Sequence, residues 1–293
     1  MNNQSITTRP RAIPAAPSLA RVRALVARGL FRLGILFAGC TGLAASPGWA
    51  GQSCEVHRPG ATELRQTFEL AAHTATALDR SGADVAILAR AGQDLRSYGL
   101  RFSHVAFAYR ENPGVGGSGL WRVAHLLNEC GTARSALYRQ GLAEFFNDQP
   151  FRWQAALVVP ERPVQAALLP LMRDDTRLAS LLERRYSMVA YPWAQRYQQS
   201  NAWLLETFAM ALEPALHERR LAQAWLMVHG YQPTTLRISA ARRLGAGLTR
   251  ANVSFDDHPA RQLARNRIET VTADSLLGWL HSAGYGGPMQ LID

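Results

Sequence analysis

The sequence predicts an α+β fold in which helices flank an antiparallel sheet. Short apolar runs bounded by turn residues occur in neighbouring pairs, which is typical of antiparallel strands. Longer segments carry apolar residues at helical spacing, and several of them follow the strand region. After position 50 there is no Pro/Ser-rich linker, no internal repeat and no low-complexity segment. We therefore expect one α+β domain over residues 51–293.

The first half of this domain supplies the predicted strands. Apolar positions in residues 61–79 recur at helical spacing and predict a helix that ends before Ser81-Gly82. The predicted strands are residues 84–90, 103–110, 121–127 and 151–159, the last closed by Pro160. Residues 111–119 contain one proline and four glycines and predict a loop. Residues 135–146 have the spacing of a helix.

The second half is predicted to be mainly helical. Residues 163–182 predict a helix that Pro170 either kinks or divides. An aromatic loop, residues 186–199, leads into an apolar helix over 201–212, with Ser200 or Asn201 placed to cap its first turn. Further helices are predicted over 222–229, before Gly230, and over 273–282.

Residues 1–50 have the composition of a secretory signal. They contain six arginines and no acidic residue, an apolar run over 30–45 and small residues ending at Ala50. This order predicts a signal peptide that is cleaved near Ala50, leaving a soluble extracytoplasmic or periplasmic protein. The apolar run, about sixteen residues long and interrupted by Arg32, is short for a bilayer span of ~20. The alternatives are an uncleaved membrane anchor and a lipoprotein attached through Cys40.

The charge of the remaining chain is modest. Six of the 32 basic residues lie in the signal segment, which leaves 26 against 22 acidic residues and a net charge of +4. The basic residues, among them the pairs Arg184-Arg185 and Arg242-Arg243, are spread along the sequence, whereas a nucleic-acid interface needs clustered ones. We expect no nucleic-acid partner, and contact with a membrane only through an uncleaved signal or a lipid anchor.

Two cysteines remain after the predicted cleavage site. Cys54 lies near the new terminus and Cys130 lies in the middle of the chain. An oxidising compartment outside the cytoplasm favours a disulfide between them. The alternative is that Cys130 is a reactive thiol.

Two histidines are candidates for chemistry. His104 and His125 lie on predicted strands that would be adjacent and antiparallel. An imidazole titrates near pH 6.5 and can act as a general base when a second polar residue orients it. The nucleophile in such a site often sits at a helix N-terminus, which stabilises its anion.

The strand sequences resemble those of NlpC-type papain-like amidases and peptidases, in the circularly permuted branch. The resemblance rests on residues 84–87, 103–108 and 121–125. It implies a papain-like antiparallel sheet flanked by helices, with His104 as the base and His125 as the residue that orients it. The nucleophilic cysteine of that family would fall at Asn201, beside Ser200. Neither is a thiol, so the resemblance implies attack by Ser200, or by Cys130 if its loop folds back.

The chain also resembles DUF2145, a bacterial family of exported proteins. The matching stretches are residues 81–83 with 92–95, 98–104, 125–132, 137–142, 200–203 and 251–259. They extend over nearly all of residues 51–293.

Two functions remain open at this point. In the first, the protein acts on or binds an amide-containing cell-envelope component, such as a peptidoglycan peptide, a glycan or a lipid, and if it is a hydrolase the catalytic residues are His104, His125 and Ser200 or Asn201. In the second, it is a non-catalytic binding or assembly protein that has lost the nucleophile. No cofactor or metal is expected, because Asp256-Asp257-His258 are adjacent and fit a turn closed by Pro259 better than one ion. The aromatic residues of 186–203 fit either a ligand groove or core packing.

Overall fold

A computed structural model describes residues 57–111 and 119–293, all of which belong to one compact unit. The predicted signal peptide, Cys40, Cys54 and most of the predicted loop over 111–119 lie outside the described residues. The helices are α1 (Ala61–Ser81), α2 (Leu142–Phe146), α3 (Arg162–Met172), α4 (Asp175–Leu178), α5 (Ser200–Leu212), α6 (Arg219–Val228), α7 (Ala240–Thr249), α8 (Ala260–Ala264) and α9 (Ala273–Ser282). The strands are β1 (Val85–Arg90), β2 (His104–Arg110), β3 (Trp121–Asn128), β4 (Ser135–Gly141), β5 (Ala155–Val158), β6 (Thr234–Arg237), β7 (Arg267–Thr270) and β8 (Gln290–Ile292).

Six strands form one antiparallel sheet, in the order β4-β3-β2-β1-β5-β8. Each neighbouring pair is antiparallel. β6 and β7 form a separate two-stranded antiparallel sheet, and the chain between them includes α7 and α8. The predicted α+β class, with an antiparallel sheet flanked by helices, is confirmed.

Helices cover the sheet on both sides, which explains why its central strands are continuous apolar runs. Side chains alternate between the two faces of a strand. One face packs against α1 and α2 and includes Leu88, Ala106 and Ala108; we call it the α1 face. The other packs against α3, α5, α6 and α9 and includes Val105 and Phe107; we call it the α5 face. All six residues of β1 are buried, as expected for a strand covered on both sides.

The predicted helix over residues 135–146 is wrong in its first half. Residues 135–141 form β4, which pairs with β3 at seven positions, and only residues 142–146 are helical. The helical spacing of apolar residues is outweighed by the backbone hydrogen bonds that β3 needs on its outer edge. Because β4 is an edge strand, Tyr138 is 40% exposed whereas Leu137 packs on the core.

Other boundaries differ for local reasons. The helix predicted over 163–182 ends at Met172, two residues after Pro170, and the Asp174 side chain then caps the separate helix α4. The predicted strand over 151–159 is shorter, because only Ala155–Val158 pair with β1 as a strand. α5 begins at Ser200, and its cap is Gln199, whose side chain accepts from the Asn201 amide. Ser200 and Asn201 were expected to cap it, but both lie inside the helix.

The predictions for α1, β1, β2, β3, α5, α6 and α9 are confirmed to within a few residues. The sequence analysis did not predict β6, α7, α8, β7 or β8, which are short or, in the case of α7, entirely outside the core. None of the helices in the described residues is long and apolar enough to span a bilayer.

Candidate functional site

The two predicted histidines meet on the α1 face of the sheet. His104 is the first residue of β2, and His125 lies on the neighbouring strand β3. The β2–β3 pairing runs from Arg110–Trp121 to Phe107–Ala124, which places both side chains on one face just beyond the last pair. His104 Nε2 lies 2.8 Å from His125 Nδ1. His104 is 8% exposed and His125 is fully buried.

Hydrogen bonding determines which ring nitrogens carry protons. His125 Nε2 lies 2.8 Å from the amide oxygen of Gln140 on β4. That oxygen accepts, so His125 Nε2–H donates to it and His125 Nδ1 is left as an acceptor. His104 Nε2–H therefore donates to His125 Nδ1. It follows that His104 Nδ1 keeps a lone pair, and no described residue forms a hydrogen bond with that atom.

Arg90 is the third charged or titratable group of the site. It lies directly opposite His104 on β1 and its side chain is 7% exposed. Its guanidinium donates to the Phe145 carbonyl and to the Asp148 carboxylate, and it lies 4.8 Å from the centre of the Phe145 ring. The Arg90 Nε–H is buried and has no hydrogen-bond partner among the described residues.

Burial and the nearby guanidinium keep both imidazoles neutral. Burial lowers the pKa of His125 to about 3, and the charge of Arg90 acts in the same direction. Burial lowers the pKa of His104 well below its usual value, again with a smaller contribution from Arg90. Burial also lowers the pKa of Arg90 itself, which Asp148 counteracts. The site therefore presents a neutral base next to a fixed positive charge.

A short helix and the loop after it cover the histidines. The Phe145 ring of α2 lies 5.9 Å from the His104 ring and 5.3 Å from the His125 ring, between centres. The loop that follows contains Asp148, whose side chain is 41% exposed, and Gln149 with a positive φ of 41°. We call α2 and residues 147–151 the cover. Arg90 ties the cover to the sheet because it binds both Phe145 and Asp148.

Ser200 and Asn201 reach β2 from the α5 face. The Asn201 side chain accepts from the Val105 amide at 3.1 Å and donates to the Val271 carbonyl at 3.3 Å. It thus fills the place of a β3 backbone group where the β2–β3 pairing has ended. Ser200 is the first residue of α5 and is buried, and burial also raises the pKa of the nearby phenol of Tyr186.

The structure brings His104 and His125 together and does not bring Ser200 or Asn201 to them. No hydrogen bond joins either imidazole to either side chain in the described part of the chain. The expected convergence of all four residues is therefore not found. The reason is strand alternation, because Val105 and His104 face opposite sides of the sheet.

Comparison with protein families identifies the chain. The family model described as "Uncharacterized protein conserved in bacteria (DUF2145)" matches residues 77–280. The chain belongs to the DUF2145 family. The matched region includes both histidines, Arg90, the cover and α5. No curated protein and no solved structure matches the chain.

In this DUF2145 protein, Cys130 lies in an exposed turn after β3. Its expected disulfide partner, Cys54, lies outside the described residues, so the pairing stays a prediction. None of the described residues form a group of three or more His, Cys, Asp or Glu side chains that could hold a metal ion.

In this DUF2145 protein Asp257 and His258 lie in a turn that their side-chain hydrogen bonds stabilise. The His258 ring contacts the Asp257 carboxylate at 3.0 Å and the Glu269 carbonyl at 3.1 Å, and the side chains of His258 and Asp257 are both fully buried.

Of the aromatic residues proposed for a groove, Trp203 and Tyr186 are buried. Trp203 packs edge-on against Phe107 in the core.

Sequence reasoning missed Arg90, Gln140, Phe145 and Asp148. Arg90 is the last residue of a predicted strand, and the alternation of that strand places it on the face opposite Ala89. That alternation, together with the rarity of buried arginines, was the one signal that could have found it. The other three residues reach the site only through β4 and α2, which the sequence predicted as one helix.

Proposed function

We propose that this DUF2145 protein is exported and binds an amide-containing component of the cell envelope, such as the peptide of peptidoglycan or a lipid, without hydrolysing it. The observation that carries the proposal is a free acceptor beside a free donor. His104 Nδ1 has no hydrogen-bond partner in the described residues, and the buried Nε–H of the cross-strand neighbour Arg90 has none either.

These two atoms match the N–H and the C=O of one residue in an extended peptide, which point to the same side of the chain. The N–H of that residue would donate to His104 Nδ1, and its carbonyl oxygen would accept from Arg90 Nε–H. His104 must be neutral for this, and the lowered pKa of its ring meets that condition. An unpaired buried donor costs free energy, so a ligand that pairs it is favoured. Access requires the cover to move away from the sheet.

Within residues 57–111 and 119–293 no nucleophile is hydrogen-bonded to His104, and this favours binding over hydrolysis. Ser200 is the hydroxyl that the family resemblance places at the reaction centre, yet it lies at the start of α5 and forms no hydrogen bond with either imidazole. Asn201 is engaged by backbone groups of β2 and of residue 271.

An amide hydrolase on a papain-like fold is the second candidate. The observation that favours it is the orientation of His104 by His125, since its Nε2–H is held and its Nδ1 lone pair is left for a general base. Ser200 would have to reach that lone pair for attack to follow.

Binding and chemistry can be tested on the same preparation. We expect calorimetric titration with a peptidoglycan stem peptide to show binding by the wild-type chain, and a loss of about tenfold or more in affinity for His104→Ala, since the ligand would lose a hydrogen bond to a positioned acceptor. The matched control is His217→Ala, because that side chain is 74% exposed and outside the site. Unfolding curves should show that both variants are folded.

The hydrolase alternative predicts a different outcome. Serine-reactive probes would label the protein, the His104→Ala substitution would abolish labelling, and the stem peptide would be cleaved. Unchanged peptide affinity in His104→Ala would refute the binding site proposed here.

The export part of the proposal rests on the composition of residues 1–50. Mass spectrometry of the protein from its own host should show a new N-terminus close to Ala50 and a disulfide-linked peptide pair containing Cys54 and Cys130. A diacylglycerol on Cys40 would instead support the lipoprotein alternative, and an intact N-terminus would contradict cleavage.

A further inference from the structure

α7 presents its apolar side to solvent and its polar side to the protein. None of its residues is buried. Leu244 is 66% exposed and Leu248 is 79% exposed. At 100° per residue these two leucines and Ala241 lie on one side of the helix. Arg243, Ala246 and Arg250, which are partly buried, lie on the opposite side.

The inverted orientation of α7 is fixed by hydrogen bonds. The Arg243 guanidinium donates to the Ile238 carbonyl at 2.6 Å, to the Leu263 carbonyl at 3.0 Å and to the Asn266 side chain at 3.1 Å. Ile238 and Asn266 flank the two-stranded β6–β7 sheet and Leu263 lies on α8. Leu236, Ile238 and Ile268 form a small core of their own there. The leucines of α7 are therefore held outward by the packing of its polar side.

The positive charge of the chain is concentrated around this helix. Residues 237–267 contain seven arginines and two aspartates, a formal charge of +5, against +4 for all of residues 51–293. Both aspartates are engaged elsewhere, Asp256 with Arg196 at 3.0 Å and Asp257 with His258 at 3.0 Å. Five of the arginines are exposed: Arg237, Arg242, Arg261, Arg265 and Arg267. Although basic residues occur along the whole sequence, this one segment holds most of the excess positive charge, and Arg237 and Arg267 lie opposite each other on β6 and β7.

We propose that α7 is an interfacial helix that docks this protein on an anionic lipid surface. The outward leucines would enter the boundary between headgroups and acyl chains, and the surrounding arginines would pair with lipid phosphates. The apolar side distinguishes a lipid surface from a nucleic acid or a free phosphate, neither of which would bury leucine. This contact is separate from the signal peptide and from the histidine site.

Hydrogen exchange is measured segment by segment, so it distinguishes a membrane contact made by α7 from one made by residues 1–50. The full chain is incubated with vesicles of phosphatidylglycerol and phosphatidylethanolamine, and in parallel with vesicles of phosphatidylcholine. We expect exchange over residues 239–250 to slow several-fold with the anionic vesicles only. The matched control is α6, whose Met227 and Val228 are also exposed and whose exchange should not change.

Substitutions test the apolar contribution of the leucines, and salt tests the electrostatic contribution of the arginines. Leu244→Ser with Leu248→Ser should remove the protection of residues 239–250 and lower the vesicle partition coefficient by about tenfold or more, because two leucines lose apolar burial. Val228→Ser should change neither. Salt at about 1 M, where the screening length is about 3 Å, should weaken binding of the wild-type chain.

Several results would overturn the proposal. One is that anionic vesicles do not protect residues 239–250 from exchange, and another is that phosphatidylcholine vesicles protect them equally. A third is that duplex DNA protects them and lipid does not. A fourth is that their protection increases with protein concentration in the absence of lipid. The last outcome would identify a second copy of the chain as the occupant.

Discussion

The neutral histidine pair predicts how the stability of the fold depends on pH. An unfolded histidine has a pKa of about 6.5, whereas burial lowers the pKa of His125 in the folded protein to about 3. When pH falls below 6.5 the unfolded chain takes up a proton at this residue and the folded chain does not. The free energy of unfolding therefore decreases as pH falls through this window, and it is flat for this residue above about pH 7.

The magnitude follows from the size of the window. Each pH unit between the two pKa values costs about 1.4 kcal/mol per histidine, so His125 alone accounts for about 2 to 3 kcal/mol between pH 6.5 and pH 4.5. The lowered pKa of His104 adds to the loss in the same direction. The carboxyl group of Asp94, whose pKa is lowered to about 2 by Arg96, affects stability only below this window.

Urea unfolding, followed by tryptophan fluorescence at several pH values from about 7 to 4.5, measures this loss. His125→Asn keeps an acceptor for His104 Nε2–H but has no titrating ring. We expect the variant to be less stable than the wild type at pH 7. Below pH 6.5 its free energy of unfolding should fall less steeply with decreasing pH than that of the wild type, by about 1.4 kcal/mol per pH unit. His217→Asn, at an exposed position, is the control and should keep the wild-type slope. An unchanged slope in His125→Asn would show that the ring is not held neutral by burial, and would refute the reasoning.

Three further predictions concern packing and charge in the described residues. Glu206→Leu leaves the buried guanidinium of Arg219, 2.8 Å away, without its carboxylate. Chemical denaturation should therefore show a free energy of unfolding lower by about 3 to 5 kcal/mol, and the double variant Glu206→Leu with Arg219→Met should largely recover it. An equal loss in the double variant would contradict this. Gly286→Ala places a methyl group 2.8 Å from a valine methyl of β5 and 3.2 Å from a backbone oxygen, so it should lower the free energy of unfolding by about 1 to 3 kcal/mol. Gly278→Ala, in an open position within α9, should raise it by about 0.5 to 1 kcal/mol. Thermal unfolding that ranks the two variants the other way would refute the packing. Asp148→Asn weakens the bond that ties the cover to the sheet and should speed hydrogen exchange in residues 142–151 more than in α1; uniform exchange rates would show that this ion pair does not hold the cover.

Local patterns were sufficient to predict the centre of the sheet. β1, β2 and β3 are apolar runs bounded by turns, and helices on both faces bury such runs. The succession of β2 and β3 across one loop also predicted His104 and His125 on adjacent antiparallel strands, and they meet at 2.8 Å.

The rest of the site depends on contacts that are distant in sequence. Arg90 is 55 residues from Phe145 and 58 from Asp148, both of which it binds. Gln140 reaches His125 because residues 135–141 form an edge strand, although their apolar spacing favours a helix. α5 packs on the other face of the sheet, so Asn201 lies across the sheet from the imidazoles, and helical periodicity alone does not predict which face a helix covers.

Imidazole ¹⁵N NMR at about pH 7, before and after addition of a peptidoglycan stem peptide, tests the central claim most directly. The account predicts that both histidines are neutral and protonated on Nε2, that the Nδ1 resonance of His104 alone shifts strongly when the peptide binds, and that the peptide is recovered intact. A protonated ring at either histidine, an unshifted His104 Nδ1 in the presence of bound peptide, or a cleaved peptide would contradict it.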